Sequence, residues 1–188
     1  MFDIISGAGI FIYPLALCSF LAVFIVVERL FALRTERVMP GSVIGPLLAG
    51  KRPESISLKG SAAGRIAAFF FDQSPDPDAL KAYGRLEVTR LERGLFLLEI
   101  VIAAAPLLGL LGTVTGLIQV FAYYTPDTGL PDPGVFTQGI ALALTTTMIG
   151  LAIAIPSIVG NNYLQRRVET LAARLDVEVE RLCANGLE

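Results

Sequence analysis

The chain has 188 residues, of which 54% are hydrophobic and only 17% charged, and its mean hydropathy is +0.66. A soluble domain carries about 25% charge, so this composition excludes an ordinary water-soluble globule and describes an integral membrane protein. The net charge of −2 comes with no basic patch to attract nucleic acid, and the absence of histidine removes the commonest metal ligand and proton shuttle.

The N-terminal stretch "MFDIISGAGIFIYPLALCSF" opens with an acid and lacks a basic segment, so it reads as a retained anchor rather than a cleaved signal. A hydrocarbon core of about 30 Å needs roughly 20 apolar residues in a helix. Three runs meet that length. The first starts at Ile10 and ends between Val27 and Leu30, the second covers Leu95 to Tyr124, and the third covers Val135 to Tyr163. The last two exceed the need and are expected to tilt or to project beyond the bilayer.

The segment 31–93 is too long for a simple connector. Its first half, "TERVMPGSVIGPLLAGKRPESISLKG", is rich in Gly, Pro and Ser and reads as loop with one short helix. "SAAGRIAAFFFD" reads as a short amphipathic helix. Asp76 is placed to cap the next helix, with Pro77 in its first turn. Leu80, Tyr83, Val88, Leu91, Leu95 and Leu98 then recur every three to five residues, which predicts one apolar face running without a break into the second span. After the third span, Leu164, Val168, Leu171, Leu175, Val179 and Leu182 keep a three-four rhythm through the tail 164–188. The fold expected is therefore a single all-α membrane domain whose second and third helices extend past the membrane.

Charge sets the orientation. The fifteen basic residues lie at the end of the first span (Arg29), in the 31–93 segment, and after Leu164. The 125–134 loop has two acids and no base, and the short N-terminus has only Asp3. By the positive-inside rule the N-terminus is outside and the C-terminus in the cytoplasm. Glu28 and Arg29 read as interface anchors. Cys18 falls in an apolar run and Cys183 in the polar tail, so neither a disulfide nor a two-cysteine metal site is expected.

Within the spans, small residues recur. "APLLGLLGTVTGL" carries Gly109, Gly112 and Gly116, and the third span carries Gly139, Ala143, Thr146, Gly150 and Ala154 along one stripe. In lipid, close backbone approach at small residues drives helix packing, so these are expected helix contacts in a tightly packed, oligomeric assembly. Pro106 and Pro156 each remove a backbone donor inside a span and read as packing or hinge positions.

Thr113 lies 11 residues from Tyr124 and Thr147 lies 12 from Val135, about 16 and 18 Å along their helices. With Thr145 and Thr146 beside it, Thr147 joins Thr113 in a band of hydroxyls near mid-membrane. A single such threonine commonly bonds back to its own helix; four at one depth fit a polar girdle that lines a pore or holds a partner's polar side chain. Glu99 is either a carboxylate reaching water or a basic neighbour, or a group at an ion exit. Gln119 and Gln138, nearer the outer end, either hydrate an entry or pair with each other.

"ERGLFLLEIVIAAAPLLGLLGTVTGLIQVF", followed by "GIALALTTTMIGLAIAIPSIVGNNYLQRRVE", resembles the ExbB/TolQ/MotA proton-channel family, closest to ExbB and TolQ, over about residues 85–170. MotA-type proteins, with a fourth span and a larger cytoplasmic region, fit less well. The resemblance implies a homopentamer in the bacterial inner membrane whose second and third spans surround a pore. It implies two transmembrane helices from an ExbD/TolR-like partner inside that pore, the partner's aspartate carrying the proton, and possible work on a TonB/TolA-like protein. The family's two pore threonines match Thr113 and Thr147. One departure stands out: ExbB and TolQ usually have a glutamate where this chain has Leu142, which leaves open whether H⁺ or Na⁺ is carried, since Thr145 and Thr146 add oxygens suited to a hard cation. Two readings follow: an ion-conducting stator subunit, or a non-conducting membrane scaffold. With no paired carboxylates, Ser–His or Cys–His arrangement, phosphate loop or metal-ligand spacing, no enzyme site and no cofactor are expected.

Overall fold

The computed structural model describes residues 9–48, 52, 60–122 and 133–185, and all of its regular structure there is helical. A 3-10 turn, Gly9–Phe11, leads into α1 (Ile12–Ala32); α2 (Thr35–Val38), α3 (Gly41–Leu48), α4 (Ala62–Gln73) and α5 (Pro77–Leu91) follow. Then come α6 (Leu95–Ala122) and the 53-residue α7 (Pro133–Asn185). Three helical stretches are long and apolar enough to cross a membrane: Ile12–Ala32, the α5–α6 stretch, and Phe136–Ala184. The N-terminal segment with Asp3 and most of the acidic loop between the last two spans, on which the orientation argument leaned, lie outside the described residues.

Local chemistry accounts for the boundaries. Ser61 caps α4 by accepting from the Gly64 amide at 3.0 Å. Asp76 occupies the N-cap of α5 with Pro77 at its first position, as the sequence indicates, although the Asp76 side chain makes no capping bond. The apolar face of α5 continues into α6, but the backbone does not. Glu92–Gly94 form a turn, with Gly94 at φ +93°, a conformation that costs a side-chain-bearing residue free energy. The Arg29 guanidinium lies over Gly94, its Nε 3.1 Å from where a β-carbon would sit, and its Nε is 2.8 Å from Glu28 Oε2. The segment after α1 holds two short helices, α2 and α3, where one was expected. Pro106 and Pro156 remain inside continuous helices α6 and α7.

The chain divides into two compact units. One comprises Met1–Val26 and Phe96–Asn161, the other Val27–Leu95 and Asn162–Glu188. In the first, α1 turns Leu15, Ala22 and Ile25 inward and touches α7 where Val26 meets Gly160, with 3.0 Å between Val26 Cγ2 and a β-carbon there. Outward the unit shows Phe20, Phe24, Leu107, Leu110, Ile118, Leu144 and Ile155, each more than half exposed. Such a surface belongs against lipid or another chain.

The second unit packs aliphatic side chains inward and carries the chain's described lysines and arginines. Leu164, Val168, Leu171, Leu175, Val179 and Leu182 on α7 are all buried, as their spacing predicts. Gly84 of α5 lets α7 approach, with Val179 Cγ2 3.1 Å from its absent β-carbon. Arg167 reaches back to the Leu33 carbonyl at 3.3 Å and the Thr35 hydroxyl at 3.2 Å. Glu87, with no exposed surface, receives two bonds on Oε2 from Arg65 (Nε 2.9 Å, Nη2 2.6 Å) and one on Oε1 from Arg90. The bond to Glu87, more than its charge, holds the Arg65 pKa above its ordinary value against the opposing effect of burial.

Candidate functional site: the α6–α7 seam

The two apolar helices meet along small residues. Ala105, Gly109, Gly112 and Gly116 of α6 oppose Gly150, Thr146, Ala143 and Gly139 of α7, in antiparallel order. A β-carbon at Gly150 would lie 2.6 Å from the Ala105 carbonyl oxygen, and one at Gly116 would lie 2.6 Å from the Gly139 carbonyl oxygen. No real side chain tolerates either distance, so glycine here is what allows the backbones to touch. The stripes expected from the sequence are thus the contact itself. They are used within one chain, however, and carry no argument about neighbouring subunits. The faces left for lipid or a neighbouring subunit to cover are the exposed leucine and phenylalanine ones.

The threonines separate. Successive residues on a helix point about 100° apart, so Thr145, Thr146 and Thr147 fan around α7. Thr146 is fully buried against Gly112 and donates to the Leu142 and Ala143 carbonyls at 3.0 Å each. Thr147 is half-buried, and its Oγ1 donates across the seam to the Gly109 carbonyl at 3.2 Å. Thr113, one turn beyond Gly109 and also half-buried, donates to Leu110 O at 2.6 Å. Thr145 is half-buried and projects about 160° from Thr147. Thr113 and Thr147 are therefore within about one turn of each other on facing helices.

The remaining candidates lie apart from this level. Leu142 is half-buried one turn from Thr146. Glu99, Gln119 and Gln138 are exposed on this chain, and Glu99 is ten residues, about 15 Å, below Gly109. Sequence reasoning passed over Thr115, which donates to the Leu111 and Gly112 carbonyls. It also passed over Ser157 and Asn161, buried polar members of the α7 stripe, and over Glu87. The signal for Glu87 was there: it falls on the 80–84–87–91 face of α5, with Arg90 three residues on. In the charged unit a groove of about 770 Å³ runs along α7 beside Thr35, Met39, Ile44, Ala173 and Val177, and no candidate residue lines it.

The chain has recognisable relatives among known proteins. Residues 62–177 match the model of the MotA/TolQ/ExbB proton channel family. The biopolymer transport protein exbB1 of Vibrio cholerae is 33% identical over 183 residues, covering 89% of this chain and 80% of that protein. The biopolymer transport proteins ExbB of Helicobacter pylori and Aquifex aeolicus are 35% and 36% identical over 52% and 55% of this chain, and 68% of each relative. The chain belongs to the MotA/TolQ/ExbB proton channel family, on its ExbB-like side, and is a multi-pass membrane subunit of proton-channel energy transduction.

Proposed function

We propose that this chain is the pore-forming stator subunit of a complex in the bacterial inner membrane. Five copies would surround a pore lined by α6 and α7. The single-span helices of an ExbD/TolR-like dimer would occupy that pore. Their membrane aspartate would take up the ion on one side and release it on the other. The resulting movement would power a periplasmic or outer-membrane process through a TonB/TolA-like protein. The termini would lie on opposite sides, N-terminus out and C-terminus in, as the basic residues require.

The observation that supports this best is the pair Thr113 and Thr147, two half-buried hydroxyls within about one turn of each other on helices joined by a tight glycine seam. Thr146 would stiffen the seam behind them, and Thr145 would serve a different face of α7. Gly109, Gly112, Gly116 and Gly150 would fix helix approach; Pro106 and Pro156 would free a carbonyl on each helix. Glu99 would stand toward the ion exit, Gln119 and Gln138 toward the entry. The fan of the three threonines favours H⁺ over Na⁺, because their oxygens do not gather at one point as a hard cation requires. With Leu142 apolar, the partner would supply the only carboxyl at this level.

The test is ion flux into proteoliposomes holding the complex, driven by a pH gradient and then by a sodium gradient. Proton flux is expected, and Thr147→Val is expected to abolish it with the complex still assembled. Undiminished flux in that variant would remove the threonines from the pathway. No flux from an intact wild-type complex under either gradient would favour a scaffold.

A further inference from the structure

Away from α1 and from Tyr163, the described residues of the charged unit expose two large apolar side chains, Leu86 on α5 and Val177 on α7, each 47% exposed. One such residue alone is ordinary on a protein surface. Their settings are opposite in shape. Val177 lines the groove of about 770 Å³, with Thr170 and Ala173 on its own helix and Met39 and Ile44 beside them. Leu86 stands on a ridge, on the side of α5 turned away from buried Gly84. The charges are opposite as well. Exposed Arg85 and Arg93 flank the ridge, whereas exposed Glu169, Asp176 and Glu180 follow one edge of the face of α7 that carries Val177. None of these five makes an ion pair with another described residue.

Height relates the two features. α5 and α7 run antiparallel: Cys183 Sγ meets Pro77 O at 3.8 Å, and Val179 Cγ2 stands 3.1 Å from the place of a β-carbon at Gly84. Leu86 is two residues on from Gly84 and Val177 is two back from Val179, so they share one level along the pair. By the same count Arg85 falls midway between Asp176 and Glu180, and Arg93 falls next to Glu169. A rotation about the membrane normal leaves every height unchanged. We infer that the groove of one copy receives the α5 ridge of the next copy of this chain, Leu86 covering Val177 and the arginines meeting the acidic edge; this rests on the reading that copies surround a pore. Ridge and groove are different patches, so each copy keeps one of each for its two neighbours, as a ring requires. Between helices in lipid no hydrophobic force acts. A joint between charged units adds one, and its charges set which faces meet.

The test is cross-linking of the full chain in membranes. Leu86→Cys and Val177→Cys are placed together in a chain carrying Cys18→Ala and Cys183→Ala, and a short bis-maleimide is added. A ladder of linked chains is expected on a denaturing gel, and none from Leu86→Cys alone, because the ridge does not meet itself. Arg85→Glu is expected to slow linking about fivefold, and Glu180→Arg in the same chain to restore it. Native mass spectrometry of the unlinked protein counts the copies independently. Assembled copies that do not link through Leu86 and Val177 overturn the inference and leave the ring reading standing. Linking by Leu86→Cys alone, or an Arg85→Glu chain that links at the parent rate, overturns it too. Single subunits by mass with no ladder would sink both readings.

Discussion

The buried stripe of α7 runs the length of the helix with one spacing and two vocabularies. From Gly139 through Ala143, Thr146, Gly150, Ala154 and Ser157 to Asn161 its members are small or polar; from Leu164 through Val168, Leu171, Leu175 and Val179 to Leu182 they are large aliphatics. The period marks the inward face in both halves. Side-chain size tracks the solvent outside. Beyond Asn161 the other faces of α7 carry arginines and glutamates and meet water, which drives leucines inward at about 25 cal/mol per Å² of apolar surface. Before Asn161 the other faces are themselves apolar, and lipid is as good a home for leucine as the interior, so cohesion comes from backbone proximity.

If that contrast is right, the two halves fail in opposite directions. In the charged half, smaller is worse: Leu175→Ala removes a side chain that is 1% exposed and is expected to cost about 3 kcal/mol. Thermal unfolding followed by circular dichroism, or by protease access to the charged unit, measures it. In the apolar half, larger is worse: Gly150→Val places atoms where the Ala105 carbonyl and the Gly109 α-carbon already stand. Overpacking of this kind is expected to cost about 2 kcal/mol, seen as a lower thermal midpoint of the complex in detergent and lost cross-linking between α6 and α7. A neutral Gly150→Val, or a stabilising one, would show that the seam is not what holds these helices together.

How much of this could be read beforehand followed from the same physics. The spans, the α7 tail and the small-residue stripes were legible because each rests on period and composition, which one helix carries by itself. The division of labour among Thr145, Thr146 and Thr147 was not, because it depends on which side of α7 meets α6. The stop at Glu92–Gly94 was masked by an apolar face that continues across it, and only the positive φ at Gly94 reveals the turn. The helices α2 and α3 were hidden for another reason: four- and eight-residue helices are too short to display a period. Glu87 was passed over because burial of a carboxylate depends on Arg65, 22 residues away on another helix, as well as on Arg90 of its own.

Glu87 also yields the smallest of the expected effects. The apolar unit keeps its described carboxylate, Glu99, at the surface, whereas the charged unit encloses Glu87 completely. A buried carboxylate stripped of its partners is strongly destabilising, yet here the partners are unequal. Arg65, whose side chain is about one-third exposed, covers Oε2 with two bonds, and Arg90, half in water, adds one bond to Oε1. Arg90→Ala should therefore behave as loss of a surface pair and cost under about 1 kcal/mol, because Arg65 keeps the charge matched. A thermal midpoint that falls as far for Arg90→Ala as for Leu175→Ala would mean that both arginines are needed to hold the anion. The buried charge that joins α4 and α5 would then rank with the leucine stripe of α7 in holding the charged unit together, and side-chain size alone would no longer separate the two halves of the molecule.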